Sequence, residues 1–315
     1  MRPDGSPTPA KLSVCALVAL VVVCASARPA AAQQAHCVFN NASFSFAGTP
    51  QEQARCLLSP VRIRGAVGSP LAKLPEPLDS LVGQPVAVTR EALRRFLAER
   101  GITEAELGGS LDARLSRAND NNASAPFATY FVIHDTSSPN LRLTVSDFPA
   151  NVNAPDFRVG QMRVNDPATY RNAPEAHLYI TRDGRSTTAS GRTFGTALRA
   201  TRRESRVIGV RSKGLFLHVE NVQPRRSNPQ GPAGNDQIAP VPGFSDAHLD
   251  RLALVYLAAS VRRGTWMIPA YHAVLDKHPQ ITGGHDDPQN FDLQRFADRL
   301  CALLTSLGAQ CPGVS

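Results

Sequence analysis

The run Tyr130-Phe131-Val132-Ile133 is apolar at every position. A strand with one wet face alternates apolar and polar residues, whereas one without alternation is covered on both faces. This segment therefore predicts a sheet held between other layers. Residues 177–181, turning at Asp183-Gly184, and residues 215–219 read as further strands. Residues 266–270 are strand-like, and Pro269 places them at an edge or a strand end because proline cannot donate to the ladder. Helical patterns flank these runs. In residues 89–100, Ala92, Leu93, Phe96 and Leu97 form an apolar stripe that Gly101 ends. A second helix is expected over residues 103–117. Ser245 caps a third that runs to Arg263, with Leu249, Leu252, Tyr256 and Ala259 on one face. The last spans residues 292–307, with Leu293, Phe296, Leu300 and Leu303 inward. Residues 223–243, rich in Pro, Asn and Gly, read as a loop. Strands separated by helices and long loops predict an α/β fold with a mixed central β-sheet flanked by helices.

The N-terminus sets the compartment. Residues 12–25 are an apolar run, preceded by Arg2 and Lys11 and followed by Ala30-Ala31-Ala32. The run is shorter than the about 20 residues that span a bilayer, and the pattern is that of a secretory signal peptide over residues 1–32. Export to the periplasm or beyond the cell is expected, with no stable membrane insertion once the signal is cleaved. Cys37, Cys56, Cys301 and Cys311 then remain. An even count in an oxidising compartment predicts disulfides. Of the three connectivities open, Cys37–Cys56 with Cys301–Cys311 is favoured, because each closes a short local loop. Neither pair has the CxxC spacing of a structural zinc site.

Thirty-four basic against 26 acidic residues give a formal charge of +8. Residues 1–32 hold Arg2, Lys11, Arg28 and Asp4, so +2 lies there and +6 in the rest. Such a balance favours anionic partners. Nucleic acid is a poor one for an exported chain with 6% aromatic residues and no recognisable nucleic-acid module. An anionic cell-wall polymer fits better.

All eight histidines lie after residue 32, and three stand out. His134 follows the buried strand directly. His272 follows the run Ile268-Pro269-Ala270-Tyr271, and His285 opens His285-Asp286-Asp287-Pro288. A histidine at a strand end is held rigidly yet points out of the sheet, as a metal site requires. A lone histidine of this kind is more often structural; three of them, with Asp287 two residues after the last, point to a catalytic zinc site. Such a site uses three protein ligands and keeps one position for water. Hydrolysis also needs a base and an oxyanion donor. Glu220, closing Leu217-His218-Val219-Glu220, is an available carboxylate, unless it merely pairs with Arg225 or Arg226.

In order and spacing, FVIHDT (131–136), HLYITRDG (177–184) and GGHDDPQNFDL (283–293) resemble the zinc-dependent N-acetylmuramoyl-L-alanine amidases, a family that includes phage lysozyme-like amidases and peptidoglycan recognition proteins. The resemblance spans residues 127–305 and implies the peptidoglycan amidase fold. It implies His134, His272 and Asp287 as ligands of Zn2+, Glu220 as the residue that positions the water, His285 as the oxyanion donor, and His177 beside the substrate groove. The distance from His272 to Asp287 leaves open His285 as third ligand, and a slip of two would put His218 at the carboxylate position. The implied reaction cuts the amide between N-acetylmuramic acid and L-alanine in peptidoglycan or a muropeptide. A metal-free peptidoglycan-binding module and a zinc peptidase acting on the stem peptide are the alternatives. The expected organisation is a signal peptide (1–32), an N-terminal, mostly helical or irregular extension that braces or regulates (33–125), the zinc amidase domain (126–308) and a tail (309–315).

Overall fold

Strand β1, Tyr130–Asp135, is buried at all six positions and lies inside a five-stranded sheet. A computed structural model describes residues 37–119, 121–142, 148–227 and 243–313; the expected signal peptide and most of the expected 223–243 loop lie outside them. The other strands of the sheet are β2 (Leu178–Ile180), β3 (Ser186–Thr188), β4 (Phe216–Asn221) and β5 (Ile268–Tyr271). Their order is β5-β1-β4-β2-β3. Only β2 and β3 pair antiparallel; the other neighbours are parallel, so the sheet is mixed. Proline 269 sits in β5, at the sheet edge, where its missing N–H costs no ladder bond.

Parallel strands need crossovers long enough to return the chain to the same end of the sheet. Here they bring the C-terminal ends of β1, β4 and β5 side by side. In register, His134 faces Glu220 and Ile133 faces Tyr271. His272 follows Tyr271 directly. Topology alone therefore gathers two histidines and a carboxylate at one end of the sheet.

The helices that accompany the sheet include α1 (Pro50–Leu57), α2 (Arg90–Glu99), α3 (Asp246–Arg263), α4 (His272–Leu275) and α5 (Leu293–Ser306). Side chains at the N-caps fix where four of them start. Thr49 and Glu52 form a reciprocal capping box on α1, which the sequence reading had passed over. Thr89, Ser245 and Asp292 accept from backbone N–H groups of α2, α3 and α5. Helix α3 is buried almost all round, as expected of a helix between a sheet and an outer layer. The helix expected over residues 103–117 is only the turn Glu104–Leu107. Gly108 and Gly109 follow it at φ +88° and +102°, a left-handed backbone that no helix continues through.

Residues 36–315 form one compact unit. Leu57, Leu58 and Leu97 belong to the same apolar core as Phe131, Ile133, Leu217 and Tyr256. Tyr130 ties the N-terminal segment to the sheet: its hydroxyl donates to Gln53 Oε1 and accepts from Phe46 N, both at 2.8 Å. Disulfides Cys37–Cys56 and Cys301–Cys311 are both formed, in the pairing that local loops favoured. No helix among the described residues is long and apolar enough to cross a membrane.

Candidate metal centre

Alternation along β1 and β4 puts Val132 and His134 on the same face as His218 and Glu220, with Asp135 on the other. His134 and His272 meet with Nδ1 atoms 2.8 Å apart. The Nδ1 of His272 is 3.0 Å from Asp287 Oδ1, and that of His134 is 3.7 Å from Asp287 Oδ2. All three residues are buried and their donor atoms converge on one point. Two imidazoles and a carboxylate form a donor set known from catalytic zinc sites, where bonds of about 2.0–2.1 Å to a tetrahedral ion hold donors about 3.3 Å apart. The observed separations bracket that spacing, so the residues fit such an ion.

Asp287 is held from three sides. Its Oδ2 accepts from Asp135 N at 3.1 Å, and its carbonyl accepts from Ala273 N in α4 at 2.7 Å. Behind it, Asp135 and Arg225 form a fully buried ion pair at 2.8 Å, and Asp135 also accepts from Gln289 N. Arg225 is therefore bound to Asp135 and not to Glu220. Burial raises the Asp135 pKa to about 6, Arg225 pulling it down and Asp287 pushing it up. From the N-terminal segment, Arg64 N donates to Gln289 Oε1 and Asn290 N donates to Val61 O. Gly65, at φ +70°, lies so close to Asp286 that a Cβ would stand 2.4 Å from the Asp286 Cβ. Residues 61–65 thus buttress the loop that carries Asp287.

Glu220 Oε1 is 3.8 Å from His134 Nδ1, and its Oε2 is buried with no hydrogen-bond partner among the described residues. Burial, reinforced by the Asp287 charge, raises its pKa well above the usual carboxylate range. Burial lowers the His134 pKa well below the imidazole value. For His272, burial also lowers it, but the carboxylates of Asp287 and Asp276 outweigh burial and raise it to about 10. Two carboxylates beside His272 make this a pocket that favours a cation.

His285 stands apart from His134. Its ring stacks on His272 with centroids 3.9 Å apart, and its Nδ1 is 2.6 Å from Asp276 Oδ2. Asp276 Oδ2 is also 3.5 Å from His272 Nε2, so one buried carboxylate lies between the two rings. With 40% of its side chain exposed, His285 is at the rim. His272, Asp276 and His285 form a second cluster with metal-ligand spacing, which omits His134.

A line of buried groups runs back from His134. Its Nε2 is 3.0 Å from His218 Nδ1, and His218 Nε2 is 3.3 Å from Glu204 Oε2. His218 and Glu204 are 0% exposed. Glu204 Oε2 already accepts from Ala200 N, Thr201 N and Thr201 Oγ1. With its proton on Nε2, His134 donates to His218 Nδ1. The free lone pair of His134 is then on Nδ1, the atom that meets His272 and Asp287. The third histidine of this layer, His177, is not in a groove. It is 0% exposed, its Nε2 donates to Thr196 O, and its Nδ1 accepts from His218 N. His177 is thus enclosed beside β4, at the start of β2.

Reasoning from sequence missed Asp135, Glu204, Arg225 and Asp276. Asp135 had a signal, since it adjoins His134; Glu204 sits in Arg202-Arg203-Glu204-Ser205, which resembles any solvated charge run.

No family model matches the chain, and no curated protein does. Among solved structures, it is similar to the crystal structure of a selenomethionine derivative of AmpD, with 17% identity and a TM-score of 0.30, over 62% of this chain and 97% of that one.

Proposed function

We propose that this chain is a zinc-dependent N-acetylmuramoyl-L-alanine amidase of the cell envelope, acting on peptidoglycan or its muropeptides. The observation that carries this reading is the convergence of His134 Nδ1, His272 Nδ1 and Asp287 on one buried point, with Glu220 Oε1 3.8 Å from the first. The motif resemblance over residues 127–305 supplies the substrate.

His134, His272 and Asp287 would hold the ion. Zinc supplies Lewis acidity and a water ionisable near neutral pH. Glu220, whose surroundings favour taking up a proton, receives one from the attacking water and passes it to the leaving nitrogen of L-alanine. His285, oriented by Asp276, donates to the oxygen that gains charge. In this reading residues 126–308 form the catalytic domain and residues 33–125 brace it through the 61–65 buttress. Two disulfides and the leader-like N-terminus support export.

The test is metal analysis of the mature protein together with mass spectrometry of digested sacculi. One zinc per chain and release of intact stem peptides with a free L-alanine amine are the expected results. Native protein without metal that still binds sacculi would make it a binding module. Cuts inside the stem peptide would make it a peptidase.

A further inference from the structure

A cavity of about 540 Å³ lies at the other end of the sheet, lined by Arg114, Arg117, Arg262, Arg263, Phe127 and Thr265, with Leu115 at its side and no carboxylate in the lining. Phe127 and Thr265 stand seven residues before His134 and His272, so the cavity is on the order of 20 Å from the metal centre along the strands.

The guanidiniums are fixed by groups that carry no charge. Arg262 donates to the carbonyls of Gly108, Ala113 and Arg114. Arg263 donates to the carbonyls of Phe127 and Ala128 and to Thr265 Oγ1. Arg117 donates to the carbonyls of Ala123 and Ala125 and stacks on Phe127 at 4.0 Å. Arg114 is exposed, and its guanidinium has no hydrogen-bond or ion-pair partner among the described residues. The carboxylate that acts on Arg262 from a distance, Glu104, is itself paired with Arg94 at 2.7 Å. Carbonyl partners aim a guanidinium without neutralising it. Burial lowers the pKa of Arg262 to about 10, and that of Arg263 also falls, which shows the cost of leaving these charges unpaired.

We propose that this cavity is a phosphate-binding site, in which the planar forks of Arg114 and Arg117, backed by Arg262 and Arg263, receive the oxyanion of a phosphate group. Guanidinium forks match phosphate oxygens in pairs, and a concave site focuses their field. The site accounts for part of the chain's positive balance, which the metal centre does not use.

The experiment is calorimetric titration of the mature protein with inorganic phosphate and with methyl phosphate, at low ionic strength in chloride buffer. Saturable binding with one ligand per chain is expected, weakened at least about fivefold by Arg114→Ser and by Arg117→Gln, and retained in His134→Ala, which removes a ligand of the metal centre. Absence of saturable binding, binding indifferent to both arginine variants, or binding lost in His134→Ala alone overturns the proposal. Sedimentation with phosphatidylglycerol vesicles, against phosphatidylcholine vesicles, distinguishes the source. Arg114-dependent capture by the anionic vesicles assigns the phosphate to a lipid headgroup, and phosphate binding without vesicle capture assigns it to a free or polymer-borne phosphate.

Discussion

His134 and His272 are 138 residues apart in sequence, and their Nδ1 atoms are 2.8 Å apart in space. Two imidazole lone pairs at that distance repel unless a proton or a metal ion lies between them. Register explains the encounter, since Ile133 and Tyr271 are paired and the next residue of each strand is the histidine. The same pairing sets His134 beside Glu220.

Zinc that binds this cluster in the folded chain alone stabilises it by mass action, by about 2.7 kcal/mol when free zinc is 100 times the dissociation constant. Chelation is therefore expected to lower the melting temperature of the native protein. In His134→Ala the zinc content should fall below one per chain and the chelator effect should vanish. Calorimetry with and without chelator, beside elemental analysis, checks both. A melting temperature that ignores chelator in the native protein would remove the metal from the account.

Replacing Glu220 by Gln keeps size and shape but removes the proton acceptor. Zinc content should hold while the turnover rate falls by about 10² or more, the scale of a lost general base. Steady-state kinetics on a purified muropeptide, read with metal analysis of the same sample, separates this outcome from simple loss of the ion. Full activity in the variant would move the role elsewhere, and His218, two residues earlier, would be examined next.

The layout was legible where local chemistry dominates. The uniform apolarity of residues 130–133 gave a covered strand, and the apolar stripes of residues 89–100 and 292–307, with the cap at Ser245, placed three helices within a residue or two. Position after a strand flagged His134 and His272. The supporting groups were not legible, because their partners come together only through folding. Asp135 and Arg225 are 90 residues apart, and Arg225 in its loop resembled a surface partner for Glu220. His177 shows the converse: its motif resembles one beside a groove, whereas its side chain is fully enclosed. Residues 103–117 had helical composition, but the two glycines after Leu107 overrode it.

His218 backs His134 at 3.0 Å, and Glu204 stands 3.3 Å behind His218. Partners of this kind typically carry about 10–100-fold in metal affinity. Glu204→Gln and His218→Leu are each expected to weaken zinc binding by about that factor, measured by competition with a chromophoric chelator. His218→Asn, whose side-chain oxygen can accept from His134 Nε2–H, should recover part of the loss. Unchanged affinity in both Glu204→Gln and His218→Leu would reduce the line to packing.

His248 provides a pH test remote from the metal. It lies in α3, is 0% exposed, and donates from Nε2 to Ile180 O at 3.2 Å. Burial, with the Arg182 charge adding to it, lowers its pKa well below 6.5. The unfolded chain binds a proton at this residue below pH 6.5, and the folded chain does not. Stability contributed by neutral His248 is therefore fully present above pH 6.5 and declines as pH falls below it, by up to about 1.4 kcal/mol per pH unit. His248→Gln lacks that proton in both states. The stability difference between the native protein and His248→Gln should thus shrink from pH 7.5 to pH 5, as read from urea unfolding at each pH. A constant difference would mean that His248 titrates alike in the folded and unfolded chain, which a fully enclosed imidazole beside a guanidinium does not do.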